Sequence, residues 1–212
     1  LPDAPPLTLL ILAGGGSSRM GRDKAAIPFP AEGAPPLVAR VHLILRPLAT
    51  ACLLAAGTDF GLGCQLVTDE PGFPGPLGGL LAGLAAAPTE LVLAVAADTP
   101  FPAPELALGL IAVARDNPRV ALAAPLRGGR VEPLFAVYRR RAGPSLRGVE
   151  QRPGERGVPL RRAIAELPRV EVAESTWRSW DPGATSFINC NTPEELAAAR
   201  AAALDADQGG LT

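Results

Sequence analysis

Leu7-Thr8-Leu9-Leu10-Ile11-Leu12-Ala13-Gly14-Gly15-Gly16-Ser17-Ser18-Arg19-Met20-Gly21-Arg22-Asp23-Lys24 is the stretch on which the reading of this chain turns. The run from Leu7 to Leu12 is apolar, short and closed by glycines, as a buried strand requires. A strand that empties into a glycine-rich turn carrying Arg19, Arg22 and Lys24 brings backbone N–H groups and cations against a polyphosphate. The spacing narrows the class. A P-loop needs Lys directly after the closing glycine of GxxxxG, whereas Gly21 is followed by Arg22 and Lys24 stands two residues further on. The dinucleotide fingerprint GxGxxG fails too, because Arg19 occupies its third glycine position after Gly14 and Gly16. Adjacent glycines alone do no more than close a tight turn. With Arg19, Gly21 and Lys24 beside them they favour nucleotide handling.

Outward from this stretch, apolar and helix-like runs alternate: strand 7–12, helix 36–48, strands 51–55 and 64–67, helix 77–86, strand 91–97, helix 104–115 and strand 119–124. Unbroken apolar strands between helices predict an α/β fold, a three-layer α/β/α sandwich around a mostly parallel sheet buried on both faces. Ligands of such sheets collect beyond the carboxyl ends of the strands, where the Gly14 loop, Asp69 and Asp98 all fall. The later part is less regular. It reads as a strand at 132–138, a short helix at 159–166, strands at 168–172 and 186–188, and a closing helix at 192–204 with Thr192 as N-cap and Pro193 in the first turn. Between them, residues 143–162 are rich in Arg, Gly and Pro. They read equally as a solvated connection and as a grip on a second substrate through Arg147, Arg152, Arg156, Arg161 and Arg162.

Composition sets the limits. The 212 residues suit a single domain able to bury a core of its own, with 48% apolar and 19% charged residues excluding a disordered tail. A formal net charge of −1 argues against a nucleic-acid binder, so anions must be held by local groups. The three cysteines, Cys52, Cys64 and Cys190, are odd in number and widely spaced, with no CxxC pair. Neither a disulfide framework nor a zinc site is expected, and a cytoplasmic setting suits them. No apolar run reaches the roughly 20 residues of a membrane span, and the start at Leu1 has no signal-peptide pattern.

Several side chains are candidates for chemistry. Asp98 ends a buried strand and precedes Pro100; it is either a hard oxygen ligand suited to Mg²⁺ or a helix cap. Asn189 and Asn191 alternate along an extended segment and point the same way, with Cys190 opposite. Their amides are candidates for the metal shell or for the acceptor's phosphate, and Asn191 is also a cap for the last helix. Arg19 offers a planar fork and Lys24 a point charge for phosphates, whereas Arg22 is expected to face solvent. Asp69 is a candidate for base, ribose or turn capping. Gly78 and Gly79 permit close backbone approach to a base, or simply pack a helix start. His42, the single histidine, falls in a predicted helix and is read as a surface or packing residue. With no GxSxG elbow, a hydrolase triad has no support.

Leu12-Ala13-Gly14-Gly15-Gly16-Ser17-Ser18-Arg19-Met20-Gly21-Arg22-Asp23-Lys24 resembles the signature of the molybdenum cofactor guanylyltransferases, the MobA family, within the nucleotidyltransferases of Rossmann-like fold. Three later segments agree with that family in order: Thr68-Asp69 leading to Gly75-Pro76-Leu77-Gly78-Gly79-Leu80, then Asp98-Thr99-Pro100-Phe101, then Phe187-Ile188-Asn189-Cys190-Asn191-Thr192-Pro193-Glu194-Glu195-Leu196. The resemblance implies a nucleotide-binding half over about 1–125 and an acceptor half over about 126–212. It implies transfer of GMP from GTP to the phosphate of molybdopterin, with Mg²⁺. Leu12, Ala13, Gly14, Gly15, Asp69 and Gly78 would meet the nucleotide, Arg19 and Lys24 its phosphates, and Asp98 both metal and nucleotide. Asn189 and Asn191 would serve the acceptor. Apoenzymes and other proteins of molybdenum cofactor biosynthesis would be partners. Leu-Ala-Gly-Gly at Leu12 to Gly15 is the guanine form of the motif, the cytidylyl users more often carrying Leu-Ala-Ala-Gly. The chain departs from the family after its second strand, where Leu54-Ala55-Ala56-Gly57 lacks the customary asparagine. The alternatives are a cytidylyl or sugar-phosphate nucleotidyltransferase on the same scaffold and a non-catalytic cofactor carrier.

Overall fold

A computed structural model describes residues 6–14, 24–151 and 157–209, the side chains of 206–209 excepted. The strands are β1 (Leu7–Leu12), β2 (Ala51–Ala55), β3 (Gln65–Val67), β4 (Leu91–Ala96), β5 (Leu122–Arg127), β6 (Arg130–Val131), β7 (Phe135–Arg139) and β8 (Arg169–Val172). The helices are α1 (Leu37–Leu45), α2 (Pro76–Ala86), α3 (Pro104–Asp116), α4 (Gly143–Arg147), α5 (Leu160–Ala163), α6 (Glu174–Trp177) and α7 (Pro193–Gly209).

The strands form one eight-stranded sheet in the order β3-β2-β1-β4-β7-β5-β6, with β8 on β5. β3, β2, β1 and β4 are parallel neighbours, and every residue of β1 and β4 is buried. Alternation along β1 divides the core between two faces. Leu9 and Ile11 join Val41, Leu45, Leu106 and Leu110 beneath α1 and α3, whereas Leu10 and Leu12 join Leu80, Leu84, Ala142 and Leu160 beneath α2, α4 and α5. Ile27, Phe29 and Leu37 pack with Leu196, Ala199 and Ala203 and fasten α7 to the segment that leads into α1.

The three-layer α/β sandwich expected from the sequence is therefore the observed fold, with β7 reversed and inserted between β4 and β5. The segment expected as a strand at 186–188 is instead a 3₁₀ turn, Thr185–Phe187. Asp181, 3% exposed, is the reason: its carboxylate accepts the backbone N–H groups of Thr185 at 3.0 Å and Ser186 at 2.9 Å, winding the chain into a turn. The cysteines also differ from expectation. Cys52 and Cys64 are disulfide-bonded with Cα atoms 4.8 Å apart, and Cys190 is free and buried. Pairing of Leu53 with Gln65 puts the residues before them side by side, a proximity that their spacing of 12 in the chain does not announce.

Candidate active site

The chain runs from β1 outward to β2 and β3 on one side, then returns to place β4 on the other side of β1. The switch point lies between the carboxyl ends of β1 and β4, where the helices on either face part and leave a crevice. Ala97 N donates to Leu12 O at 3.0 Å and Ala13 N to Ala55 O at 2.9 Å, so the ends of β1, β2 and β4 are held level. Leu12, Ala13 and Gly14 thus lead into the crevice. Gly15, Arg19 and Arg22 lie outside the described residues, as do Arg152 and Arg156.

Asp98 stands just past β4 with its side chain 23% exposed. Lys24 opens a 3₁₀ turn (Lys24–Ala26) and reaches across: its Nζ donates to Asn191 Oδ1 at 2.7 Å and lies 3.7 Å from Asp98 Oδ2. Cys190 N donates to Asp98 O at 2.9 Å, which pins the Asn189–Asn191 segment beside β4. Residues 24, 98 and 191, far apart in sequence, therefore meet at one point. Burial pushes the Asp98 carboxyl above the usual carboxylate range, and the Lys24 ammonium pulls it back only in part. Among the described residues, desolvation outweighs the Lys24 charge at this carboxylate. Burial also raises the Cys190 thiol to about 12, which leaves it inert as a nucleophile.

A cavity of about 190 Å³ opens beside this cluster, lined by Asp98, Asn189 and Asn191 together with Thr99, Glu132, Leu134, Ser186 and Phe187. Sequence reasoning had singled out the first three. Glu132 was missed because it belongs to no motif; the tight β5–β6 hairpin ahead of it, Gly128 and Gly129 both at positive φ, swings it over the crevice. Glu195 was also missed, although the Thr192-Pro193-Glu194-Glu195 pattern is a readable capping box. Its Oε2 accepts Asn191 N at 2.7 Å and Thr192 N at 3.2 Å, while Thr192 Oγ1 accepts Glu195 N at 3.2 Å. Thr192 is thus the cap of α7, and the Asn191 side chain is directed to Lys24 instead.

On the other flank, Asp69 follows β3 and faces the loop after β1: a Cβ added at Gly14 would lie 3.5 Å from Asp69 Oδ1. Partial burial pushes this carboxyl upward as well. Gly79 is filled around by its neighbours, an added Cβ meeting Leu12 Cδ2 at 2.7 Å and Ala55 Cβ at 3.0 Å, and Gly78 is covered by the Phe73 carbonyl. Gly79 therefore brings the start of α2 against the sheet, and Gly78 packs against the Phe73 carbonyl and the Asp69 side chain.

Of the arginines between 143 and 162, Arg161 alone among those described approaches the crevice rim, 3.5 Å from Glu132. Arg147 is turned to Glu70 in a bidentate pair of 2.6 and 2.8 Å, and Arg162 donates to Glu150 O at 3.1 Å. His42 sits in α1, away from the crevice. A larger hollow of about 370 Å³ lies along α2 between Leu81, Leu84 and Pro144. Its arginines are engaged already, Arg140 by Ala87 O, Arg141 by Glu90 and Arg147 by Glu70.

An open α/β sheet whose switch-point crevice brings a lysine, a carboxylate and an amide together is the frame of a nucleotidyltransferase of Rossmann-like fold. Residues 9–170 match the MobA-like NTP transferase domain, and the chain belongs to that family of enzymes. It is 37% identical over 206 residues to a molybdenum cofactor guanylyltransferase of Pseudomonas putida, covering 92% of this chain and 99% of the relative. It is 34% identical over 190 residues to a probable molybdenum cofactor guanylyltransferase of Chloroflexus aggregans, covering 88% and 90%. The crystal structure of molybdopterin-guanine dinucleotide biosynthesis protein A from Archaeoglobus fulgidus shares the fold, with a TM-score of 0.74 at 20% identity over 93% of this chain and 99% of that one. Among the described residues no helix is long and apolar enough to cross a membrane.

Proposed function

We propose that the chain transfers GMP from Mg²⁺-GTP to the terminal phosphate of the molybdenum-loaded molybdopterin cofactor. An oxygen of that phosphate attacks the α-phosphorus of GTP, the bond to the β-phosphate breaks, and pyrophosphate leaves with the electron pair. The products are molybdopterin guanine dinucleotide and pyrophosphate. The observation that carries this reading is the meeting of Lys24, Asp98 and Asn191 at the switch point. The acceptor is a phosphate monoester already ionised near neutral pH, so no general base is needed, and the lone, remote His42 is no obstacle.

Leu12, Ala13, Gly14, Gly15 and Gly78 bring backbone to the base and ribose, and Asp69 accepts from the guanine N1 and N2 donors. Arg19 and Lys24 neutralise charge moving onto pyrophosphate. Asn189 and Asn191 hold the acceptor phosphate at the mouth of the cavity beside Glu132. The Asp98 carboxylate, whose burial Lys24 offsets only in part, fits a hard divalent ion such as Mg²⁺, which it would hold together with water and phosphate oxygens. When bound, Mg²⁺ supplies charge neutralisation at the transferred phosphate. GTP as substrate suits a cytoplasmic reaction, and the dinucleotide product suits onward delivery to apoenzymes.

The test is pyrophosphate release with each nucleoside triphosphate, Mg²⁺ and molybdenum-loaded molybdopterin, in wild type and Asp98→Ala. Release confined to GTP and abolished in the variant is expected. Release with CTP instead would move the chain to cytidylyl transfer, and none with any triphosphate would leave it a carrier.

A further inference from the structure

At the end of the sheet away from the crevice, three side chains from three elements converge. Cys52 lies at the start of β2, Cys64 immediately precedes β3, and the parallel register carries both to the same level of the sheet. α1 covers the same face, where Cys52 and Cys64 pack with Val41 and Leu45, and it contributes His42. A ring nitrogen of His42 and the two Sγ atoms all lie within 4.8 Å of one another. His42 Nε2 is buried and finds no hydrogen-bond partner among the described residues. A buried ring nitrogen left without a hydrogen-bond partner is a cost that packing alone does not explain.

Two sulfurs and one imidazole form the donor set of a borderline-soft cation. We infer that the dithiol form of this chain binds one Zn²⁺ between His42, Cys52 and Cys64, with water in the fourth tetrahedral position. The disulfide and the metal exclude each other, because the ligand is a thiolate. A dithiol reductant opens the site: its thiolate attacks one Sγ, its second thiol closes a cyclic disulfide, and two electrons pass to Cys52 and Cys64, which leave as thiols. Zn²⁺ then displaces their two protons. Bonds of about 2.3 Å to zinc put the sulfurs about 3.8 Å apart, a separation reached by side-chain rotation on strands already adjacent. The site ties α1 to β2 and to the segment entering β3, so zinc stabilises this edge of the sheet.

The chain is reduced anaerobically with a phosphine, freed of it, and titrated with Co²⁺ and then Zn²⁺. One Co²⁺ per chain is expected to give thiolate-to-cobalt charge-transfer absorption that Zn²⁺ abolishes. That band reports sulfur ligation and so separates this site from a divalent ion among the oxygen donors at Asp98. The disulfide form and Cys64→Ser are expected to show no band, and His42→Ala to bind Zn²⁺ at least about tenfold more weakly. Absence of the band in reduced wild type overturns the proposal, and undiminished affinity in His42→Ala removes His42 from it. A second readout needs no variant: Zn²⁺ raises the Tm of the reduced chain and leaves that of the disulfide form unchanged, whereas an equal response in both forms counts against the site.

Discussion

Asp98 occupies a position where burial opposes the ionised carboxylate. Its pKa in the folded chain is raised, by burial first and against the pull of Lys24. A carboxyl raised above its unfolded value contributes stability that is lost as pH rises through the folded pKa, so at neutral pH the ionised form weakens the metal-free fold. Asp98→Asn is therefore expected to abolish pyrophosphate release while raising the metal-free Tm at pH 7 by a few degrees, at about 2–4 °C per kcal/mol for a chain of this size. The gain should shrink as pH falls into the carboxylate range; a Tm below wild type at pH 7 would mean that Lys24 more than offsets the burial. At Gly57 an added Cβ meets nothing within 4 Å. Gly57→Asn, which restores the amide customary in the family after β2, should lower KM for GTP without changing kcat; an unchanged KM would show that the contact is supplied elsewhere.

The elements around the site matter by how they aim its groups. α7 begins with a reciprocal cap in which Glu195 satisfies the N–H groups of Asn191 and Thr192, and that cap directs Asn191 to Lys24. Glu195→Ala should cost about 0.5–2 kcal/mol through the lost cap and should also lower turnover severalfold, because the Asn191 backbone is released. Glu195→Gln retains an acceptor and should restore most of both. If thermal melts record the stability loss and turnover is untouched, Glu195 is a cap alone. The Asp181 turn acts similarly at one remove, since Ser186 Oγ accepts Ala103 N at 2.8 Å and joins the crevice wall to the start of α3.

At the scale of the whole molecule, β7 binds the later part of the chain into the first. It pairs with β4 from Leu91 to Val95 and with β5 at Leu122 and Ala123, so a fragment ending at residue 125 lacks the strand that covers β4. Such a 1–125 fragment should show no cooperative thermal transition by circular dichroism, an outcome reversed if it melts as a unit. Much of this architecture is legible in sequence: β1, β2, β4 and α3 fall within a residue of where periodicity and punctuation put them. Asp69 and Asp98 are legible as residues just past strand ends. β5 lies about three residues later than its apolar run implies, following a turn in which Val120 N bonds Asn117 O. The sequence by itself determined the order and type of the elements and the family motifs, because a strand or helix buried on a given face must repeat its apolar residues at its own period. Only the tertiary structure decided that β7 reverses and inserts, that Lys24 meets Asn191 across 167 residues, and that Cys52 lies beside Cys64 within reach of His42. Local periodicity records which face of a segment is buried, whereas the partner that buries it is chosen by the packing of the whole chain.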